Sequence, residues 1–277
     1  MVIGFPFDGT TAHRPGSRFG PSKLREASMV IESISLLTKI NTDAIPIHDA
    51  GDVAIVHGDP KESLRRLREA VSIVVSRGKI PLIIGGEHIA TLGTMEAMYD
   101  LTEHSPPLLV YFDAHMDLYE EWPPGQEISY ATTLRRLCER IGPSRVLLLG
   151  VRACSPEELD FAQRNGIRFI TSFDLMHDLS RAISRLRSYV KDSKIYLSID
   201  LDVLDPGVMP AVSDPEAGGL DYMTFVSLLR VILCSSRKLL GADIVELNPL
   251  VSPESPAPYI ASRVLMELIA LDYSRIR

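Results

Sequence analysis

The chain has 277 residues, of which 45% are hydrophobic and 23% charged, with 18 Gly and 19 Pro. These values are typical of a globular protein and exclude a disordered chain, a collagen-like chain and a small disulfide-stapled scaffold. The 29 Lys and Arg against 36 Asp and Glu leave a net charge of −7 with no basic block, which argues against nucleic acid as a partner.

The predicted elements alternate between helices and short apolar strands. In chain order, the patterns predict a helix over 20–38, a helix over 61–77, strands over 80–84, 108–112 and 145–151, a helix over 155–166, a strand over 167–170, a helix over 180–191, a strand over 195–199, a helix over 221–233, a strand over 242–247 and a helix over 257–271. The strands are apolar on successive residues, as strands covered on both faces are. We therefore predict an α/β fold with a doubly wound, mainly parallel sheet in one domain over residues 1–277.

The cysteines and the apolar runs bear on where the protein works. Cys138, Cys154 and Cys234 are far apart, odd in number and in no paired metal spacing, which favours a reducing compartment, with the cytoplasm as the default. The start of the sequence has no basic segment followed by a long apolar core, and no run reaches the roughly 18 apolar residues that a membrane span needs. We expect neither targeting nor a membrane partner.

Polar clusters follow three of the predicted strands, at the edge where ligands bind in a parallel sheet. The strand 108–112 is followed by Asp113, His115 and Asp117, the strand 195–199 by Asp200, Asp202 and Asp205, and the strand 80–84 by Gly85, Gly86, Glu87 and His88. Taken alone, an Asp-x-His-x-Asp run is equally compatible with loop hydrogen bonding, and a single histidine is more often a loop residue than a ligand. Together the clusters predict a cation, because so many neighbouring carboxylates would otherwise repel each other at high cost.

The donor types indicate which cation. Carboxylates with one or two imidazoles suit hard or borderline divalent ions such as Mn²⁺ or Mg²⁺, whereas a cysteine-rich set would indicate zinc or an iron–sulfur cluster. Two ions are favoured over one, because the Asp, Glu and His candidates exceed the needs of a single ion. The alternating carboxylates could then bridge ions about 3.5–4 Å apart.

The segments GGEH (85–88), DAHMD (113–117) and SIDLDVLDP (198–206) resemble, in order and spacing, the three signature blocks of the ureohydrolase family, the arginases and agmatinases. The resemblance covers essentially the whole chain. It implies a three-layer α/β/α sandwich with two manganese ions per subunit, a homo-oligomer (trimer or hexamer) and a place in polyamine biosynthesis.

The resemblance also implies a role for each site residue. It places His88, Asp113, Asp117 and Asp200 on one manganese ion and Asp113, His115, Asp200 and Asp202 on the other, with Asp113 and Asp200 bridging. A metal-bridging hydroxide would attack the guanidinium carbon, Glu246 would pair with the guanidinium, and Asp117 would carry a proton to the leaving amine. The products would be urea and an amine. Asp205 would support its loop.

Two features favour an agmatinase-like member over an arginase. The N-terminal stretch GFPFDGTT (4–11), with RPG at 14–16, resembles the agmatinase opening. In arginases the segment equivalent to 150–156 carries an aspartate that holds the α-amino group of the substrate, and here Ala153 stands at that place. A decarboxylated guanidino amine is therefore the favoured substrate.

Two departures from the family pattern affect the predicted chemistry. The loop after DAHMD usually presents a histidine, and here Tyr130 takes its place among the catalytic positions. Tyrosine titrates near pH 10 and shuttles protons poorly at neutral pH, although its hydroxyl can position a group. The family's Gly-Thr-Gly-Thr-Pro-like segment becomes AVSDP (211–215), which adds Asp214 near the expected substrate pocket. Asp214 could strengthen binding of a cationic substrate or form a salt bridge within the protein, and the sequence favours neither role over the other.

The leading hypothesis is a manganese-dependent amidinohydrolase acting on agmatine or a related guanidino compound, such as an aminopropyl-agmatine or a guanidino acid. One alternative is a metal-binding paralogue with weak turnover and a binding or regulatory role, which Tyr130 supports. A dinuclear metallophosphoesterase is the other, and Glu246 and Asp214 argue against it because acids repel a phosphate. In the loop 118–131, Glu120 or Glu121 could receive a distal amine, but an exposed acidic loop is the favoured interpretation.

Overall fold

The computed structural model describes residues 1–102 and 104–275, in which an eight-stranded sheet lies between two layers of helices. The strands of this sheet are β1 (Val2–Phe5), β4 (Asp49–Asp52), β5 (Leu82–Gly85), β6 (Leu108–Phe112), β7 (Val146–Val151), β8 (Arg168–Thr171), β9 (Lys194–Asp200) and β10 (Lys238–Val245), and β2 (Ile34–Ser35) with β3 (Ile40–Asn41) forms a separate antiparallel pair. The helices are α1 (Gly20–Ser28), α2 (Pro60–Ser76), α3 (Ala90–Leu101), α4 (Thr133–Ile141), α5 (Pro156–Arg164), α6 (Ser172–His177), α7 (Leu179–Val190), α8 (Tyr222–Ser235) and α9 (Ala257–Ser274).

The sheet has the strand order β4-β1-β5-β10-β9-β6-β7-β8, and every neighbouring pair is parallel. Successive residues of each strand face opposite sides, so each strand contributes to two apolar cores. In β6, for example, Val110 packs into the core under α7, α8 and α9, and Leu109 packs into the core under α2, α3 and α4. The predicted three-layer α/β/α architecture with its parallel sheet is confirmed.

Local end signals fix several helices where the sequence predicts them. Before α5, Ser155 accepts the amide of Glu158, whose carboxylate in turn accepts the amide of Ser155, and Pro156 occupies the first helical position. Before α2, Asp59 accepts the amide of Glu62. These caps satisfy amides that have no partner inside the helix, and they define its first residue.

The predicted helix over 20–38 is wrong in its second half. Helix α1 ends at Ser28, and the following segment forms the β2–β3 pair. Side-chain hydroxyls bond to the backbone there, with Thr42 donating to the carbonyl of Ser33 and Ser35 accepting the amide of Thr38. Such local bonds compete with helical ones. The structure also contains β1, β4, α3, α4 and α6, which the sequence patterns did not predict.

No helix within the described residues is both long and apolar enough to cross a lipid bilayer.

Candidate metal centre and adjoining cavity

Four adjacent central strands, β5, β10, β9 and β6, deliver the candidate ligands to one edge of the sheet. His88 follows β5, Glu246 follows β10, Asp200 and Asp202 lie at the end of β9, and Asp113, His115 and Asp117 follow β6. Because the strands are parallel, their carboxyl ends meet, and residues distant in sequence come together there.

Six of these side chains converge on one another, five of them in two sets of metal-ligand geometry. One set is His88, Asp113 and Asp200, and the other is Asp113, His115 and Asp202; within each, the ligand atoms lie within 4.8 Å of one another. Asp113 belongs to both sets. The structure therefore holds two neighbouring ligand sets that share one carboxylate.

Three carboxylates crowd around a single ring nitrogen of His88. Its Nδ1 lies 3.0 Å from Asp113 Oδ2, 3.2 Å from Asp200 Oδ2 and 3.4 Å from Asp117 Oδ2. One ring nitrogen carries at most one proton, so it can satisfy only one of three carboxylates. Although His88 is near, the buried Asp113 Oδ2 has no hydrogen bond within the described chain.

The shifted pKa values at the centre also indicate a site suited to cations. Burial, followed by repulsion from Asp117 and Asp202, raises the pKa of Asp113 to about 6. Burial opposes a charged ring at His88, yet the carboxylates around it raise its pKa well above the ordinary value. Both shifts favour protonation, because the closely spaced carboxylates are stabilised by added positive charge. Oxygen and imidazole ligands at such a place fit a pair of hard or borderline divalent ions.

Two further acids, Asp117 and Glu246, border the ligand sets on unusual backbone. Their φ angles are 51° and 64°, in the left-handed region that side chains with a Cβ rarely adopt. Asp117 Oδ2 accepts the Tyr111 hydroxyl at 2.6 Å, and Glu246 Oε1 accepts the amide of His88 at 2.9 Å. Burial, with repulsion from Asp200, raises the pKa of Glu246 well above its ordinary value. An incoming cation would be stabilised by this carboxylate.

A polar chain supports His88 from behind, and sequence reasoning missed it. His88 Nε2 lies 2.8 Å from Ser198 Oγ, which donates to Asp243 Oδ1 at 2.8 Å, and Tyr196 donates to the other oxygen of Asp243. All four residues are buried. The signal in the sequence is a polar residue inside an apolar strand, because a buried polar group needs a hydrogen-bond partner.

The N-terminal stretch lies against the GGEH segment. A Cβ on Gly86 would lie 2.2 Å from the carbonyl oxygen of Phe7, so only glycine permits this close approach. The buried carboxylate of Glu87 accepts hydrogen bonds from the amide and hydroxyl of Thr10, and the Thr10 hydroxyl accepts the amide of Tyr130. The segment next to a candidate ligand thus also positions the Tyr130 loop.

The loop after β9 is fixed by two residues. The carboxylate of Asp205 accepts three glycine amides between positions 207 and 219, so it supports its loop, as predicted. Arg152 donates to the carbonyls of Asp202 at 2.7 Å and Glu216 at 2.8 Å. Together these bonds join the loop that carries Asp202 to the return segment that carries Glu216.

A cavity of about 510 Å³ opens beside the centre, within the usual range for small-molecule sites. Its lining comprises His13, Arg14, His115, Asp117, Tyr119, Trp122, Tyr130, Ala131, Ala153, Cys154, Ser155, Glu158, Asp214, Pro215 and Glu216. Tyr130, Asp214 and Ala153 are thus all brought to the cavity. Glu120 and Glu121 are exposed and do not line it, in agreement with the favoured interpretation of that loop.

The charge of Asp214 acts on Tyr130, which lines the same cavity. Burial, followed by the charge of Asp214, raises the pKa of Tyr130 to about 12, so its hydroxyl stays protonated at neutral pH. Within the described residues Asp214 forms neither an ion pair nor a hydrogen bond, and burial raises its pKa. The described residues therefore contain no salt bridge to Asp214, although the charges of His115, His13 and Arg14 act on it and oppose the rise in its pKa.

Comparisons with known proteins agree with this geometry. The sequence model of the arginase family matches residues 1–270. The chain is 32% identical to the agmatinase of Bacillus subtilis, over 97% of this chain and 90% of that protein. It is 36% identical to the N(1)-aminopropylagmatine ureohydrolase of Thermococcus kodakarensis, over 89% of this chain and 81% of that protein. The crystal structure of the agmatine ureohydrolase of Thermoplasma volcanium superposes with a TM-score of 0.89 at 30% identity, covering 99% of this chain and 90% of that one.

Proposed function

This chain belongs to the arginase family of ureohydrolases, enzymes that hydrolyse linear amidines, and from that premise we propose that it uses two manganese ions to release urea from agmatine or a related guanidino compound. The observation that carries the proposal is the pair of ligand sets sharing Asp113, with the acid Glu246 beside them. Relatives named for agmatine and for aminopropyl-agmatine support this substrate class.

The ligand assignment extends the two sets that the geometry defines. His88, Asp113, Asp117 and Asp200 would hold one ion, and Asp113, His115, Asp200 and Asp202 the other. When bound, two adjacent divalent ions supply Lewis acidity and bring the pKa of water near neutrality. Manganese is proposed from the oxygen and imidazole donors and from the family.

Glu246 binds and orients the guanidinium in this proposal. Its carboxylate is buried and held by the His88 amide, so its position is fixed before substrate arrives. A planar guanidinium pairs with a carboxylate through two parallel hydrogen bonds, which fix the plane of the reacting carbon. The cation also offsets the repulsion that raises the pKa of Glu246.

Asp117 carries the proton to the leaving amine. Its carboxylate accepts the Tyr111 hydroxyl at 2.6 Å and lines the cavity that substrate enters. It is therefore positioned by one buried partner and open to a bound molecule. Tyr130, whose hydroxyl stays protonated, positions the substrate but moves no proton at neutral pH.

The test is urea release by purified protein loaded with Mn²⁺ and given a panel of guanidino compounds. We expect urea from at least one member and none after chelation of the metal. The matched variant is Asp113→Asn, which removes the shared ligand and should lose both metal and activity. If no member of the panel gives urea, the proposed catalysis is refuted. The second candidate is then a metal-binding paralogue with a binding or regulatory role, which is supported by Tyr130 because its hydroxyl stays protonated at neutral pH.

Three further properties belong to the same proposal. Both cores share one sheet, which supports a single domain over the chain. The trimer or hexamer and the cytoplasmic location stay predictions from the resemblance and the cysteine pattern.

A further inference from the structure

Outside the metal centre, the lining of the cavity contains more acids than permanently charged bases. Among the lining acids, Glu158 is occupied, because its carboxylate accepts the amides of Leu118 and Ser155. Asp214 and Glu216 form no ion pair within the described chain, and the permanently charged base in the lining is Arg14. Two carboxylates without an ion pair and one permanently charged base therefore face the cavity, and the charges of His115, His13 and Arg14 reach Asp214.

Aromatic rings form another part of the lining. The rings of Tyr119 and Trp122 lie 4.9 Å apart, centre to centre, and the Trp122 side chain hydrogen-bonds to Tyr130. Aromatic faces attract organic cations, and they do so most strongly where water is excluded. A carboxylate in the same lining as such rings gives a site suited to an ammonium group on an alkyl chain.

We propose that Asp214, together with the rings of Tyr119, Trp122 and Tyr130, selects guanidino substrates whose tail ends in an ammonium group. This inference rests on the proposed amidinohydrolase function and names the substrate class for that same site. Asp214 lies close enough to Glu246 for the two charges to interact. A guanidinium at Glu246 and an ammonium at Asp214 would then each meet a separate acid.

Arg14 could instead bind a substrate whose tail ends in a carboxylate. It lines the same cavity, and its buried Nε has no hydrogen-bond partner within the described residues. A substrate with a carboxylate tail would pair with this guanidinium. Because Asp214 and Glu216 lie in the same lining, such a tail would meet repulsion that an ammonium tail does not.

The experiment compares three tails of similar length on Mn²⁺-loaded protein: agmatine with an ammonium, pentylguanidine with a methyl group, and 4-guanidinobutyrate with a carboxylate. Urea release gives kcat/KM for each, and calorimetry gives the affinity of each whether or not it turns over. We expect agmatine to be preferred over pentylguanidine, and 4-guanidinobutyrate to be the poorest.

The variants are Asp214→Asn, which removes the charge and keeps the shape, and Glu157→Gln, which removes one charge from an exposed position outside the cavity. Asp214→Asn should reduce the preference for agmatine over pentylguanidine roughly tenfold while leaving pentylguanidine little changed. Glu157→Gln should leave the preference unchanged.

Two results would overturn the inference while the proposed function stands: urea release with 4-guanidinobutyrate as the best substrate, or an equal loss for all three tails in Asp214→Asn. A lack of urea with every tail refutes the proposed function instead, and the calorimetric preference then still decides whether Asp214 selects an ammonium tail.

Discussion

Raising the pH is expected to destabilise the metal-free protein, because its metal centre holds protons in place of ions. The pKa of Asp113 is raised from 3.8 to about 6, so above pH 3.8 the folded chain binds more protons than the unfolded one. Stability then falls as the pH rises through that window. The raised pKa values of His88 and His115 act in the same direction above pH 6.5.

The change in the free energy of unfolding can be estimated from the pH interval over which each group titrates. Between pH 4.5 and 6, over about 1.5 pH units, the proton on Asp113 accounts for a loss of about 2 kcal/mol in the free energy of unfolding. Between pH 6.5 and 7.5, one imidazole proton accounts for a further loss of about 1 kcal/mol. Because the groups titrate as a coupled cluster, we count one imidazole and not two. The raised pKa values of Glu87, Asp200 and Glu246 add to this in the same direction, so the free energy of unfolding should be at least about 3 kcal/mol lower at pH 7.5 than at pH 4.5.

The assay is urea-induced unfolding at these two pH values, after chelation and after reloading with Mn²⁺. Metal ions compete with protons for the same ligands, so Mn²⁺ should stabilise more at pH 7.5 and cancel the decline; at a hundredfold excess over Kd the gain is about 2.7 kcal/mol. Asp113→Asn should reduce the pH dependence of the metal-free protein, because the contribution of Asp113 is lost, and Glu157→Gln should leave it unchanged. Metal-free protein that is equally stable, or more stable, at pH 7.5 would refute the reasoning.

Three substitutions test other parts of the site. Glu246→Gln should lower kcat/KM by about 10²-fold or more, since the guanidinium loses its charged partner, with two ions still present by elemental analysis; unchanged turnover would exclude the pairing. Tyr130→His should shift substrate preference and add an inflection near pH 6.5 to the rate profile, whereas a gain of about 10²-fold would instead support a weakened paralogue. Arg152→Lys should raise KM and lower the free energy of unfolding by about 2 kcal/mol, because one ammonium nitrogen cannot replace the three guanidinium nitrogens that contact the carbonyls of Gly150, Asp202, Val203, Leu204 and Glu216; no change in either quantity would show that the two loops are held otherwise.

The sheet could be predicted from the sequence because its strands are buried on both faces. The run LLVYF at 108–112 is apolar throughout and coincides with β6. Strand β1 reads VIGF and is buried along its length, but with four residues it is shorter than most of the predicted runs. Strand β4 gave no such signal, because it reads DAGD and is exposed along its length. Its pairing depends on β1 beside it, and a pattern within one segment does not report its neighbour.

The candidate ligands could be predicted because each stands directly after an apolar strand. The partners behind them could not, because the contact between Ser198 and Asp243 depends on β9 lying next to β10. Strand order is a property of the whole chain, and the sequence of either strand does not contain it. The surroundings of Asp214 were likewise hidden, since they depend on how Asp205 and Arg152 fold the loop back.

The left-handed backbone at Asp117 and Glu246 lowers the stability of the fold at two positions where the proposed reaction needs an acid. A residue with a Cβ costs on the order of 1 kcal/mol at each such position, and glycine does not bear that cost. Glycine at either place would relieve this backbone cost, but it would also remove the carboxylate that accepts a buried hydrogen bond from Tyr111 or His88. Directed evolution toward a more heat-resistant catalyst has to hold these two codons fixed.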